Sequence, residues 1–143
     1  MPIILTQTDT TVGFLSQDAQ KLFEIKSRPQ TKPFLKVYNS LQDFKKDFKR
    51  LPSSHKKSFR RAKKTTYVVK NQALRIAPSP LNSKLLREFC WQYSTSANES
   101  GKTFERSFCE EKSDIIIENK DRLHEKSSSK IYKLGKTKKR RLR

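Results

Sequence analysis

Apolar residues in this chain come in short runs: Ile3-Ile4-Leu5, Phe34-Leu35-Lys36-Val37-Tyr38, Thr65-Thr66-Tyr67-Val68-Val69, Ala73-Leu74-Arg75-Ile76-Ala77, Asp114-Ile115-Ile116-Ile117-Glu118 and Ile131-Tyr132-Lys133-Leu134. Runs of this length, rich in β-branched and aromatic residues and bounded by polar residues, predict strands. None approaches the ~20 consecutive apolar residues of a membrane helix. The polar turn Lys70-Asn71-Gln72 joins two of the runs as a hairpin and puts Arg75 inside a strand. Between the runs, helical spacing appears. Ser16 as N-cap, Asp18 in the first turn and Ala19, Leu22, Phe23 and Lys26 predict a helix over 17–25. Ser40-Leu41-Gln42-Asp43 has the form of a capping box opening a short helix with Leu41, Phe44 and Phe48 on one face. Asn82 is the expected cap of a helix through Leu85, Leu86 and Phe89.

At 143 residues the chain fits one domain, expected over 1–134 and followed by a basic tail, 135–143, expected to be disordered when free. Its 33 Lys and Arg against 14 Asp and Glu leave a formal charge of +19, which argues for an anionic partner without saying which. Residues 45–64 hold ten Lys or Arg against one acid, Asp47, with Phe48 and Phe59 as candidate anchors to a core. Such a run is either a solvated face or a track for a phosphate backbone. The first residues turn polar at Thr6 without a basic leader or long apolar stretch, so a cytosolic protein is expected. Cys90 and Cys109 form no Cys-x-x-Cys pair and lie far from His55 and His124, so neither a disulfide nor a zinc site is expected.

Three polar segments stand out against this background. Thr6 to Phe14 follows the first apolar run as a hydroxyl-rich loop. In Lys26-Ser27-Arg28-Pro29-Gln30-Thr31-Lys32-Pro33 the prolines restrict their own φ and push Arg28 and Lys32 toward extended geometry. Three cations on a stiff loop suit a phosphate, although Lys26 and Arg28 equally complement the C-terminal dipole of a preceding helix. Ser94-Thr95-Ser96-Ala97-Asn98-Glu99-Ser100-Gly101 reads either as an ordinary Ser/Asn turn or as hydroxyl and amide groups around a phosphate or ribose.

Taken together, the three segments resemble the YrdC-like family of threonylcarbamoyl-AMP synthases. Thr8-Asp9-Thr10-Thr11-Val12-Gly13-Phe14 is similar to its Thr-Asp-Thr-x-Tyr-Gly-Leu, Lys26-Ser27-Arg28-Pro29 with Lys32-Pro33 to its Lys-x-Arg-Pro and Lys-Pro, and residues 94–101 to its Ser-Thr-Ser-Ala-Asn-x-Ser-Gly. Arg75 resembles the Arg of its Arg-x-Pro strand, and Ser129, before Ile131, is similar to its late Ser-Thr-Ile. The departures are Val12 for the Tyr, Ala62-Lys63-Lys64 in place of Pro-Gly-Pro, and Ala77 for the Pro of Arg-x-Pro. They bear on threonine selection more than on phosphate binding.

The resemblance implies an α/β fold, a twisted mixed open sheet flanked by helices with the motif segments converging on one concave face. It implies a synthase that makes threonylcarbamoyl-AMP and pyrophosphate from L-threonine, bicarbonate or CO₂ and ATP, for N6-threonylcarbamoyladenosine in tRNA. Lys26, Arg28, Lys32, Ser94, Ser96, Asn98 and Ser129 would hold ATP and its phosphates, and Thr8, Thr10, Thr66 and Arg75 threonine or its carbamate. No side-chain nucleophile and no resident metal site is implied, while Mg²⁺ is expected to arrive with ATP. The alternative is a non-catalytic module of the same fold that binds tRNA or double-stranded RNA through its basic surface.

Overall fold

The structure is a computed structural model and describes residues 1–27, 33–47, 53–77, 81 and 83–143. Among these, nine strands form one mixed sheet: β1 (Ile4–Gln7), β2 (Val12–Ser16), β3 (Leu35–Tyr38), β4 (Thr65–Val69), β5 (Gln72–Ile76), β6 (Trp91–Ser96), β7 (Ile115–Ile117), β8 (Lys130–Leu134) and β9 (Lys139–Arg141). Their spatial order is β7-β1-β2-β6-β3-β5-β4-β8-β9. The helices are α1 (Ala19–Lys26), α2 (Leu41–Asp47), α3 (Lys56–Arg61), α4 (Lys84–Glu88) and α5 (Arg106–Lys112). None is long and apolar enough to cross a membrane.

Strand alternation divides the sheet into two unlike faces. One carries Leu5, Val12 and Phe14, which pack with Leu22 of α1 and Cys109 of α5, and farther along Leu74, Tyr67 and Leu134, which pack with Phe44 of α2 and Phe59 of α3. Phe44, Phe59 and Tyr67 stack in series at 4.9 and 4.6 Å between ring centroids, which anchors the basic segment around α3 to the sheet. Asp47 joins α2 to β3 by accepting from both Lys36 and Tyr38. The opposite face is covered where Leu86 of α4 meets Ile4 and Leu15. Toward β4, β5 and β6 it carries Gly13, Ser94, Ser96, Arg75 and Thr66, and there a cleft opens.

Several local expectations shift. Gly13 and Phe14 belong to a strand and not to a loop, because Phe14 is needed in the core, where it is wholly buried. β2 therefore runs to Ser16, which pairs with Tyr93, and the helix cap passes to Asp18, whose Oδ1 accepts from Lys21 N at 3.2 Å. Ser94 to Ser96 likewise lie in β6, so the Ser/Asn loop begins only at Ala97. Asn82, Phe48, Pro29 and the prolines at 52, 78 and 80 lie outside the described residues, and Ser83 accepts from Leu86 N at the start of α4. α5 has no counterpart in the sequence expectations. Its polar surface hides the apolar pair Phe108 and Cys109 that seats it.

The basic tail departs most from expectation. Instead of trailing off, Lys139–Arg141 pairs antiparallel with β8 from Tyr132 to Leu134. Lys139 lies over the Tyr132 ring at 4.4 Å, and such cation–π contact, together with ladder hydrogen bonds, offsets the clustering of charge.

Candidate functional site

The site is assembled on the open face from strands far apart in sequence. β1 and β2 are joined by a tight turn in which Thr8 Oγ1 donates to Thr11 O at 2.5 Å, accepts from Thr10 N at 3.2 Å and lies 3.3 Å from Thr10 Oγ1. The turn's hydroxyls are thus held in place before any ligand arrives. Gly13 makes the approach possible, since a Cβ there would lie 3.0 Å from Thr8 Cγ2 and 3.2 Å from Thr95 O.

Arg75 rises from β5 toward this turn and is 4% exposed. Its Nη1 donates to Thr10 Oγ1 at 3.3 Å and its Nη2 lies 3.5 Å from Asp9 Oδ1, while Nε has no hydrogen-bond partner among the described residues. Burial pushes the guanidinium down from its ordinary value, Asp9 acts in the opposite sense, and the cation of Arg143 adds to the lowering. An arginine so placed remains a cation at neutral pH, and with Asp9 it forms a nearly neutral unit.

Across the face, Thr66 Oγ1 and Ser129 Oγ lie 2.8 Å apart, joining β4 to the segment that enters β8. Between these walls runs a cleft of about 330 Å³. Seven of the expected site residues line it: Thr8, Thr10, Thr66, Arg75, Ser94, Ser96 and Ser129. A smaller cavity of about 30 Å³ adjoins it, with Thr8 and Arg75 as shared walls and Asp9, Asn39, Ala77 and Gln92 beyond.

Lys26 and Asn98 stand one layer back. Lys26, 6% exposed at the end of α1, donates to Ser96 O at 3.0 Å, to Asn98 O at 2.7 Å and to Asn98 Oδ1 at 2.8 Å. Ser96 Oγ donates to the same Asn98 Oδ1 at 2.8 Å, and Ser100 Oγ donates back to Lys26 O at 2.6 Å. The geometry makes Lys26 the clamp of the Ser/Asn loop. Arg28 and Lys32 lie outside the described residues, although Pro33, next to Lys32, lines the cleft.

The cleft also recruits residues that the sequence did not single out: Thr11, Ser128 and Arg143. Arg143 reaches it only because β9 folds back along β8, and nothing local in a basic terminal run distinguishes that residue from its neighbours. Val12, which departs from the expected Tyr, is 1% exposed and packs in the core. Ala77, the other departure, lines the smaller cavity.

As a donor set for a metal the site is poor. No cluster of three His, Cys, Asp or Glu occurs among the described residues, and the carboxylate at this site, Asp9, faces Arg75. A resident Mg²⁺ bound by protein oxygens does not fit these residues.

A family model described as telomere recombination, that of the Sua5, YciO and YrdC domain, matches residues 2–143. The chain belongs to the Sua5/YciO/YrdC family. Among solved structures, a double variant of Sua5 from P. abyssi aligns at a TM-score of 0.75 with 22% identity, covering 99% of this chain and 49% of Sua5. P. abyssi Sua5 complexed with L-threonine aligns at 0.72 with 18% identity, covering 99% and 50% of the two chains. E. coli YciO aligns at 0.74 with 15% identity, covering 99% and 82%. These likenesses establish the mixed sheet of the Sua5/YciO/YrdC fold, and the chain spans about half the length of Sua5. No curated protein sequence matches it.

Proposed function

We propose that this domain is an L-threonylcarbamoyladenylate synthase, joining L-threonine, bicarbonate or CO₂ and ATP with release of pyrophosphate, in the service of tRNA N6-threonylcarbamoyladenosine. The observation that carries the reading is the described lining of the large cleft: hydroxyls from four separated segments, the buried Arg75 and no side-chain carboxylate. Such a surface suits a ligand rich in oxyanions and hydroxyls. Supporting it, the P. abyssi Sua5 of the same fold was solved with L-threonine.

The chemistry asks little covalent work of the protein. The amine of threonine attacks CO₂ and loses a proton, giving a carbamate. A carbamate oxygen then attacks the α-phosphorus as the bond to pyrophosphate breaks. Both steps depend on alignment and on neutralising oxyanions. Thr8, Thr10, Thr66 and Arg75 take threonine and its carbamate, with Arg75 opposite a carboxylate. Ser94, Ser96 and Ser129 bond phosphate or ribose, and Arg28 and Lys32 neutralise the triphosphate. Lys26 is a positioning residue that acts through Ser96 and Asn98. Mg²⁺ enters as part of the substrate, carried by the phosphates and water.

Incubation with ATP, L-threonine and bicarbonate tests the reading by pyrophosphate release with and without threonine. Threonine-dependent release together with an adenylate product is expected. ATP and threonine both bound, but with no such release, would reject catalysis.

A second reading, an RNA-binding role for the basic surface, draws on one structural fact. Ser54 Oγ donates to Lys136 O and the His55 ring lies 2.9 Å from Gly135 O, which brings the two basic segments together beside β8 and β9. Electrophoretic retardation of tRNA at moderate salt is its direct test.

A further inference from the structure

The sheet ends on two open edges, β7 on one side and β9 on the other. At strand spacings of about 4.8 Å they lie roughly 38 Å apart, so they cannot meet within one copy. Among the described residues the exposed large apolar side chains are Met1, Ile116 in β7 and Leu142 directly after β9, so two of the three stand at these edges. The charges at the two edges are opposite. Residues 99–125, which contain α5 and β7, hold eight Asp and Glu against five Lys and Arg, whereas residues 130–143, which contain β8 and β9, hold eight Lys and Arg and no acid. Beside β7, Glu110 and Glu118 share the single cation of Arg106, each at 2.6 Å, and the Asp114 carboxylate accepts from the backbone N of Ile3. On β9, Lys139, Arg140 and Arg141 are all exposed.

Backbone alternation fixes which groups are open. Gly135 N donates to Lys138 O at 2.9 Å and Leu142 N to Ile131 O at 2.7 Å, so Lys139 and Arg141 turn their N–H and C=O away from β8. Ile115 N donates to Ile3 O at 3.1 Å, so Ile116 turns its own N–H and C=O away from β1. The successive pairings make β7 and β9 run in opposite directions across the sheet. A second copy in the same orientation therefore brings its β9 antiparallel to β7. The faces agree as well. Ile116 pairs with Leu5, and Lys139 and Arg141 with Leu134 and Tyr132, all on the face covered by α1, α2, α3 and α5. With Ile116 opposite Lys139, Asp114 faces Arg141; with Ile116 opposite Arg141, Glu118 faces Lys139. Either register pairs an acid with a cation and lays a basic stem along Ile116. Two β9 edges, by contrast, would set cations against cations.

We propose that copies of this chain associate head to tail, the β7 edge of one taking the β9 edge of the next as an antiparallel strand. Such a contact is heterologous and leaves a free edge at each end, so it builds open chains. It does not depend on what the cleft binds. The formal charge of +19 opposes association at low salt, while at physiological ionic strength screening over about 8 Å spares the contacting pairs.

Sedimentation of the nuclease-treated full chain over a concentration series at physiological ionic strength tests it. The mean mass should rise with concentration past that of a dimer. Ile116→Lys, which sets a cation against β9, and Arg141→Pro, which removes an outward N–H, should each lower the association constant about tenfold or more. Mixed in equal amounts, the two variants should form a dimer, because one keeps a native β9 edge and the other a native β7 edge. If Arg141→Pro lowers the melting temperature, the double variant Lys139→Thr and Arg141→Thr, which keeps the backbone and removes the cations, takes its place. A wild-type chain that stays monomeric, association that stops at a closed dimer, or a mixture as monomeric as its parts overturns the proposal.

Discussion

At the scale of single residues, the site depends on a missing side chain as much as on those present. Gly13 sits in β2 opposite Ser96, and the Thr8 methyl occupies the space where a Cβ would go. Thr8 cannot readily yield, because its hydroxyl is held by Thr11 O. Gly13→Ala should therefore cost about 1–3 kcal/mol through overpacking and should displace Thr8 from the cleft wall. A thermal melt and a threonine titration on the same variant should show both a lower midpoint and weaker binding. A variant with wild-type affinity would show that Thr8 is not required in its present position. Thr8, Thr10 and Arg75 are legible in the sequence because their motif is contiguous or falls in an obvious strand. Arg143 is not, since its position depends on a backbone pairing with Ile131 that no short window contains.

Among the elements, α1 and the Ser/Asn loop form one unit. Ser27 adopts a left-handed conformation with φ of 47°, ending α1 and leaving Lys26 within reach of Ser96 and Asn98. In Lys26→Met the Asn98 carbonyl loses Lys26 as its donor, while Ser96 O still accepts from Asn98 N at 3.1 Å, so the cost is about 1–3 kcal/mol if Asn98 O stays unsatisfied. Hydrogen exchange should then accelerate at residues 97–101 more than in β1 and β2, and pyrophosphate release should fall with it. Uniform acceleration over the whole sheet would make Lys26 a general stabiliser of the fold and no clamp of the loop. Sequence spacing locates α1 to within two residues and misjudges its cap, because Ser16 is claimed by β2 once the sheet forms.

For the whole molecule, the relevant fact is that two basic segments some eighty residues apart share one end of the sheet. The hydrogen bonds of Ser54 and His55 with residues 135 and 136 bring the beginning of α3 next to the β8–β9 turn. If this end meets RNA, neutralising Lys57, Arg60, Lys138 and Arg140 together should reduce the slope of log K against log salt by up to about 3–4, near 0.9 for each duplex phosphate that the protein ceases to neutralise. Filter binding of tRNA across a salt series measures it, with adenylate formation expected to persist. An unchanged slope would exclude this end as the RNA-binding surface. Deletion of residues 136–143 is the poorer experiment, because it also removes β9 and Arg143.

The sequence by itself determined the strands that are apolar on short runs, the hairpin that places Arg75, the surplus of positive charge and, through three spaced motifs, the family. Each is written in contiguous residues or in composition. Only the tertiary structure decided which hydroxyls share a cleft, that Lys26 faces a loop seventy residues away, and that the basic end of the chain turns back as a strand to bring Arg143 to the site. These depend on which strands become neighbours in the sheet. That choice is made by burial of Phe14, Phe44, Phe59 and Leu74 against the helices on the other face, a property of the assembled core that no local pattern encodes.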